Sequence, residues 1–274
     1  MESAISNKPF ATIDTGRLLR VSGSTWFVTA VIGQWIFVCY VASYFGPILL
    51  QQGLAGLKET HLPHGFVAGD IVGNLAIAAH VLLAIVIIGG GPLQLMPAVR
   101  NRFPAFHRVN GRIYLALVFA TSIAGLFLVW TRGVVGGMAG HIAISLDAVL
   151  IMAFAIVALR YALVRQFQKH HRWALRLFMV VNAVWFFRIG LILWMALTGG
   201  IGIDMATFTG PAVVALYFGQ MIVPLAFLEL YFWAQSNSNR FNQLAVAVTV
   251  FVLTGLTAAG TFAATVGMWF PRVF

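Results

Sequence analysis

Continuous apolar stretches of more than twenty residues recur along the chain, each closed by a short polar or charged segment. They lack the two-residue alternation that the strands of a membrane β-barrel require. About 20 apolar residues in a helix cross the hydrocarbon core of a bilayer, so the pattern predicts membrane-spanning helices. Seven fit, at 25–50, 71–98, 110–131, 138–162, 173–197, 211–234 and 243–269. Pro104 would let the third begin earlier, because proline suits a first helical turn. The prediction is an all-α, polytopic membrane protein of about seven transmembrane helices, with spans two to five (71–197) as a four-helix core. Residues 1–24 are expected to form a cytoplasmic N-terminal tail, 25–269 a single transmembrane domain, and 270–274 a short C-terminal tail. The first apolar run is too long for a cleaved signal core and reads as an uncleaved first helix.

Composition agrees. Of 274 residues, 61% are hydrophobic and 9% charged, where soluble domains carry about a quarter charged residues. A water-soluble domain and a disordered chain are excluded. The net charge of +10 would suggest nucleic acid in a soluble protein. Here no basic segment is long enough to form a separate domain, and topology explains the charge. Lys8, Arg17, Arg20, Arg100, Arg102, Arg108, Arg112, Arg165, Lys169, Arg172, Arg176 and Arg240 fall on one side if the spans alternate, and the opposite loops are nearly neutral. The positive-inside rule then places the N-terminus in the cytoplasm and the C-terminus outside, in a bacterial inner membrane.

Several chemistries are excluded. Cys39 is the sole cysteine, which rules out an intrachain disulfide, a thiolate zinc site, a cysteine-held cluster and covalent haem. A retinal Schiff base needs a lysine in the last span, but the last lysine is Lys169. Nucleotide-binding, nucleophile-elbow and zinc-protease motifs are absent. Gly89-Gly90-Gly91-Pro92 is expected to kink or thin the second span. Gly133/Gly137 and Gly136/Gly140 read equally as a close-packing motif or a flexible loop.

Ionisable groups inside a membrane are costly and mark function by default. Those within spans are His80, Asp147, Arg188 and Glu229, with His141 near the start of the fourth span. His107, His170 and His171 lie at the cytoplasmic ends of spans three and five. By parity, His80 and His141 form an outer pair, and His107 with His170 or His171 an inner pair. Two imidazoles from facing helices, each with its second nitrogen held, are the ligand set of a b-type haem. Arg108, Arg112, Arg172 and Arg176 are available for propionates on the inner side, and Arg132 and Arg188 on the outer. The competing reading makes the inner histidines part of a lipid-headgroup-binding basic face and His80 a core histidine bonded to a neighbouring helix. His141 sits closer to the surface than His80 and is the weakest ligand. Asp147 and Arg188 lie at similar depth on consecutive spans and are expected to meet as a buried ion pair. Glu229 is expected to form a salt bridge on the inner side with Arg240 or the basic loops.

Three pieces of sequence resemble a family of bacterial predicted integral membrane proteins. They are Gly91-Pro92-Leu93-Gln94 with Arg100, His107-Arg108-x-x-Gly111-Arg112-x-Tyr114, and His170-x-x-Trp173-x-x-Arg176 with Arg188 downstream. His80 and Glu229 also resemble family positions, whereas His141 does not, and Ala174 stands where the family usually has methionine. The resemblance implies the helical fold and selects residues, but implies no reaction. The histidine layout also resembles that of cytochrome b561, in which second and fourth, and third and fifth, helices hold two haems; this is an analogy of arrangement.

Three functions follow as expectations. The first is a membrane haem-b protein (one or two haems) in transmembrane or quinone-linked electron transfer, an oxidoreductase if it is an enzyme. The second is a non-redox transporter with a His80, Asp147 and Arg188 site. The third is an accessory subunit partnered with other membrane proteins. The lipid bilayer is a partner in all three, and nucleic acid in none.

Overall fold

The first helix, α1, runs from Thr15 to Gln52, farther in both directions than its apolar run. Its N-cap is Asp14, whose carboxylate accepts from the Arg17 amide. At about 1.5 Å per residue, its 38 residues reach ~57 Å, well beyond the ~30 Å hydrocarbon core. The extra turns at Thr15–Ser24 pack on the last helix: the Thr15 hydroxyl donates to Gln243 Oε1 at 2.7 Å, and Leu19 is buried with Ala234, Val246 and Ala247. The part of the expected tail from Thr15 onward is therefore helix. The computed structural model describes residues 14–62 and 64–274, so Lys8 lies outside the described residues.

The remaining helices are α2 (Ile71–Leu95), short α3 (Pro97–Arg102), α4 (Pro104–Arg132), α5 (Gly137–Leu163), α6 (Phe167–Val181), α7 (Ala183–Thr198), α8 (Pro211–Ser236) and α9 (Arg240–Ala264). Among the described residues six helices are long and apolar enough to cross a membrane, and a seventh candidate is the pair α6 and α7, bent by 50° at the break between them. The chain starts α4 at Pro104, as proline in a first turn allows. Alternation puts the N-terminal ends of α1, α4, α6 and α9 at one face, with most of the arginines. This is the basic face.

Helices α2, α4, α5 and α6 close into a square, each packing on the next and α6 returning to α2. The expected four-helix core is present, and its diagonals are α2 to α5 and α4 to α6. Outside it, α9 packs on α1 and α7, while α8 lies against α5, α6 and α7. Lipid tails are as apolar as leucine, so helix association in a bilayer relies on close packing of small residues. Two contacts illustrate this. A Cβ on Gly33 would fall 2.7 Å from the Trp185 ring, and one on Gly260 would fall 2.9 Å from the Ile189 carbonyl oxygen.

At Gly89-Gly90-Gly91-Pro92 the helix α2 continues to Leu95 without a break, and the glycines thin it so that neighbours come close: Gly91 takes the Tyr114 ring and Gly89 faces Val38. The fifth span is broken where no break was expected. At Asn182 the side chain donates to the Phe178 carbonyl at 2.8 Å, and the Trp185 and Phe186 amides bond back to the Asn182 carbonyl. An asparagine that offers the backbone a local partner competes with the helix ladder, and here a bend results. The glycines of the α4–α5 turn serve both readings. Gly133 and Gly136 take positive φ of 78° and 89°, and the Tyr217 ring packs on Gly136 while its hydroxyl donates to the Val135 carbonyl at 2.6 Å.

Candidate functional site

The motif residues of α2 and α4 form one packing unit in the basic half of the square. Tyr114 seats against Gly91, and Gln94 Oε1 lies where a Cβ on Gly111 would be only 3.0 Å away. His107, Asn110, Gly111 and Tyr114 share one face of α4, at the i, i+3, i+4, i+7 spacing. His107 is within electrostatic reach of His170, Arg100 and Arg108, so the α4–α6 diagonal carries the inner histidines. The His170 Nδ1–H donates to the Ala158 carbonyl of α5 at 2.9 Å. That bond fixes the tautomer and leaves Nε2 with its lone pair free. His107 Nδ1, Asn110 Nδ2 and Gln94 Nε2 are buried without a hydrogen-bond partner among the described residues. Buried polar atoms are almost always satisfied, so these three at one helix junction are groups that solvent or a bound molecule would pair with. Two imidazoles, one already held by a carbonyl, are a donor set that fits haem iron.

The outer pair is not assembled. His80 faces α4 at Gly125, where a Cβ would be 3.4 Å from its ring. His141 lies beside Gly133 and Trp130, its ring 5.5 Å from the tryptophan's, and its Nδ1–H donates to the Gly137 carbonyl of its own helix at 2.9 Å. Gly125 and Gly133 are two helical turns apart, ~12 Å of rise along α4. The two imidazoles therefore sit at different levels, and one iron does not reach both.

The arginines sort differently from expectation. Arg176 is committed to Glu229 in a bidentate pair, Nε to Oε1 at 2.6 Å and Nη2 to Oε2 at 2.8 Å. It also lies over the Trp173 and Phe232 rings. Glu229 thus finds its basic-face partner, in Arg176 rather than Arg240, and Arg176 is removed from any propionate role. Arg108 and Arg112 are exposed at the basic face, outside both ion pairs formed among the described residues. Arg132 is also committed. Its guanidinium donates to Asp70 Oδ2 at 2.6 and 3.1 Å, to the His64 carbonyl at 2.7 Å and to Asn74 Oδ1 at 2.8 Å. Asp70 caps α2, and its bond from the Gly73 amide, with Arg132 beside it, holds its carboxyl below the usual carboxylate range.

Asp147 and Arg188 do not form the expected ion pair; those among the described residues join Arg132 to Asp70 and Arg176 to Glu229. Asp147 is buried on the stripe of α5 that carries Gly140 and Ala143, and its Oδ1 has no partner among the described residues. Arg188 instead lies over the Phe37 ring of α1, 5.4 Å from its centre, and donates to the Val184 carbonyl at 3.2 Å. Tyr40, Tyr217 and Arg272 surround it, and Arg272 reaches the Tyr40 hydroxyl at 3.4 Å. Among the described residues no cluster of three or more His, Cys, Asp or Glu side chains is placed to hold a bare metal ion.

Sequence reasoning missed Asp70, Asn74 and Asn182. Asp70 had a signal, an N-cap residue directly before an apolar run; the two asparagines had none.

Residues 77–232, more than half of the chain, match the family described as predicted membrane protein (DUF2306), and the chain belongs to that family. No curated protein and no solved structure matches it.

Proposed function

We propose that this family member is a b-type haem protein that moves electrons at the cytoplasmic face of a bacterial inner membrane, with a membrane-soluble quinone as the exchange partner. The observation that carries this reading is the hydrogen-bonded His170 at the basic end of the four-helix core: Ala158 presets its tautomer, and His107 lies within electrostatic reach of it. His107 and His170 would hold the iron. Arg108 and Arg112, which lie outside the ion pairs of the described residues, would meet the propionates. Bound haem would supply one-electron chemistry. The chain's own part is to orient two imidazoles, keep the Asn110 and Gln94 amides facing the site, and exclude water through the Gly91–Tyr114 packing. With the outer pair unassembled, the proposal is for one haem. The arginine distribution orients the basic face to the cytoplasm.

The visible spectrum of the full chain, purified after expression with ample haem, tests this. A Soret band and a reduced α-band are expected; His170→Ala should abolish them, and His80→Ala and His141→Ala should leave them intact. A colourless protein, or a band indifferent to His170, ends the reading.

A second reading has one specific support. Arg188 sits inside the membrane among aromatic rings, with Arg272 nearby and no carboxylate paired to it among the described residues. Such a cation suits binding or passage of an anion. A liposome flux unchanged in Arg188→Gln would exclude it.

A further inference from the structure

We infer that the long cleft between α1, α6–α7, α8 and α9 holds a single isoprenoid monophosphate, with its phosphate at the basic face and its chain along α8. The inference does not rest on the haem reading, because His107, His170, Asn110 and Gln94 do not line the cleft.

The cleft has a volume of about 1260 Å³, above the ~300–1,000 Å³ of ordinary small-molecule sites. Its α8 wall is one continuous stripe: Leu216, Gly219, Val223, Phe227, Tyr231 and Gln235 recur at helical spacing. From Ala212 to Gln235 the stripe rises ~35 Å, the full thickness of a ~30 Å hydrocarbon core. A phospholipid acyl chain covers only its own leaflet, about half that distance. The occupant that fills the cleft is therefore a chain longer than a leaflet. Glycines keep the bore open. A Cβ on Gly219 would meet only Val223 of its own helix, at 3.9 Å, and one on Gly190 would meet Leu216 at 3.5 Å.

The head end is chemically distinct. At the basic face the lining becomes Lys169, His171 and Arg172 of α6, opposite Tyr231 and Gln235. Lys169 lies over the Tyr161 ring at 5.5 Å and Arg172 over Phe232 at 4.9 Å, and both side chains are exposed at the mouth. Neither has a carboxylate within ion-pair distance among the described residues, and Glu229, on the facing helix, is already taken by Arg176. A mouth with two cations, a histidine and no counter-charge is complementary to a phosphate monoester, whereas a neutral quinone head would leave the cations uncompensated.

Native mass spectrometry of the full chain in neutral detergent tests this with three probes: a long isoprenyl monophosphate, an isoprenoid quinone of equal chain length, and phosphatidic acid. The expected order is isoprenyl monophosphate first, with both others weaker. Equal retention of the quinone shows that the head is not read. Equal retention of phosphatidic acid shows that chain length is not read, and no retention of any probe leaves the cleft without this ligand; each result overturns the inference. Lys169→Gln with Arg172→Gln should weaken retention about fivefold per charge, roughly 25-fold together. Gly219→Phe should abolish it by filling the bore, without lowering the melting temperature, since the space beside Gly219 is open. Retention unchanged in Gly219→Phe would overturn the inference whatever the charge variants do.

Discussion

Replacing Arg132 by alanine should cost the protein a measurable part of its stability, and the size can be worked out from its contacts. The side chain is only 4% exposed and ties three segments together: the Asp70 cap of α2, the His64 carbonyl of the preceding loop, and Asn74 in the first turn of α2. Asp70 is 41% exposed, so solvent screening makes the ion pair a minor contributor. The charged hydrogen bonds to His64 and Asn74 contribute about 1.5 kcal/mol each at the low end of their range. The total is ~3 kcal/mol, at the lower edge of what breaking a buried pair costs. At about 2–4 °C per kcal/mol, the melting temperature in detergent, followed by tryptophan fluorescence, should fall by roughly 6–12 °C. Asp70→Asn can keep the cap to the Gly73 amide through Oδ1 but sets an Nδ2 donor where Oδ2 accepted from Arg132, so its loss should be smaller than that of Arg132→Ala, which also gives up His64 and Asn74. The pH dependence has a definite sign. The Asp70 carboxyl is held below its ordinary value, so its contribution is complete above the ordinary carboxylate range, near pH ~4. It is lost as pH falls through the lowered folded value, and Asp70→Asn should remove that acid limb. An Arg132→Ala loss under ~2 °C, or an Asp70→Asn loss equal to it, would refute the assignment of stability to the hydrogen bonds.

Other outcomes follow from single contacts. Gly260→Leu should destabilise by ~1–3 kcal/mol, because its Cβ meets the Ile189 carbonyl at 2.9 Å and α7 must part from α9. Gly255→Leu on the same helix, with nothing within 4 Å, is the matched control in the same melting assay. Arg176→Lys should lower the melting temperature about as much as Glu229→Gln, ~2–4 °C, because an ammonium cannot replace the bidentate guanidinium fork; a fully tolerated lysine would show that charge alone is read. Asn182→Leu should straighten the bend between α6 and α7, measurable as a longer distance between spin labels at Gln168 and Leu197.

The seven spans were legible because burial in lipid requires long apolar runs, and the charge between runs fixed how they alternate. Depth was legible as well, since a helix rises by a constant step per residue. Azimuth was not. Asp147 and Arg188 lie at matching depths, yet the arginine turns toward Phe37 and Tyr40 of α1, while the carboxylate stays on the Gly140–Ala143 stripe of α5. At ~100° per residue, equal depth leaves the direction of a side chain open. For His141 depth was decisive and legible: the span expected from 138 begins at Gly137, which leaves the imidazole near its end, above the level of His80. The inner histidines sit beyond the apolar runs, where basic-loop motifs mark them directly. Asn182 left no trace because an asparagine in an apolar run carries no breaker signal of the proline or glycine kind.

The short helix α6 is where these threads meet. His170 points to Ala158 of α5 and toward His107 of α4, while its neighbours Lys169, His171 and Arg172 line the cleft on the opposite flank. Adjacent residues differ by ~100° around a helix, so a rotation of α6 by one residue would exchange the imidazole for a lysine or a second histidine at the core and would strip the cleft of its cations. Something must fix that angle. Leu177 to Val180 bury its second half, while the Phe154–Trp173 ring contact, 5.2 Å between centroids, and the His170–Ala158 bond tie its first half to α5. The bidentate Arg176–Glu229 pair, backed by the Trp173 and Phe232 rings, adds a constraint from α8 one turn from the polar end. The break at Asn182 has a matching consequence. It ends α6 before α7 carries Arg188 into its own aromatic surroundings, so the angle of α6 is set locally and is not imposed by the packing of α7 on α9. The two proposed sites therefore share α6 as one mechanical reference, held from α5 by Trp173 and His170 and from α8 by Glu229.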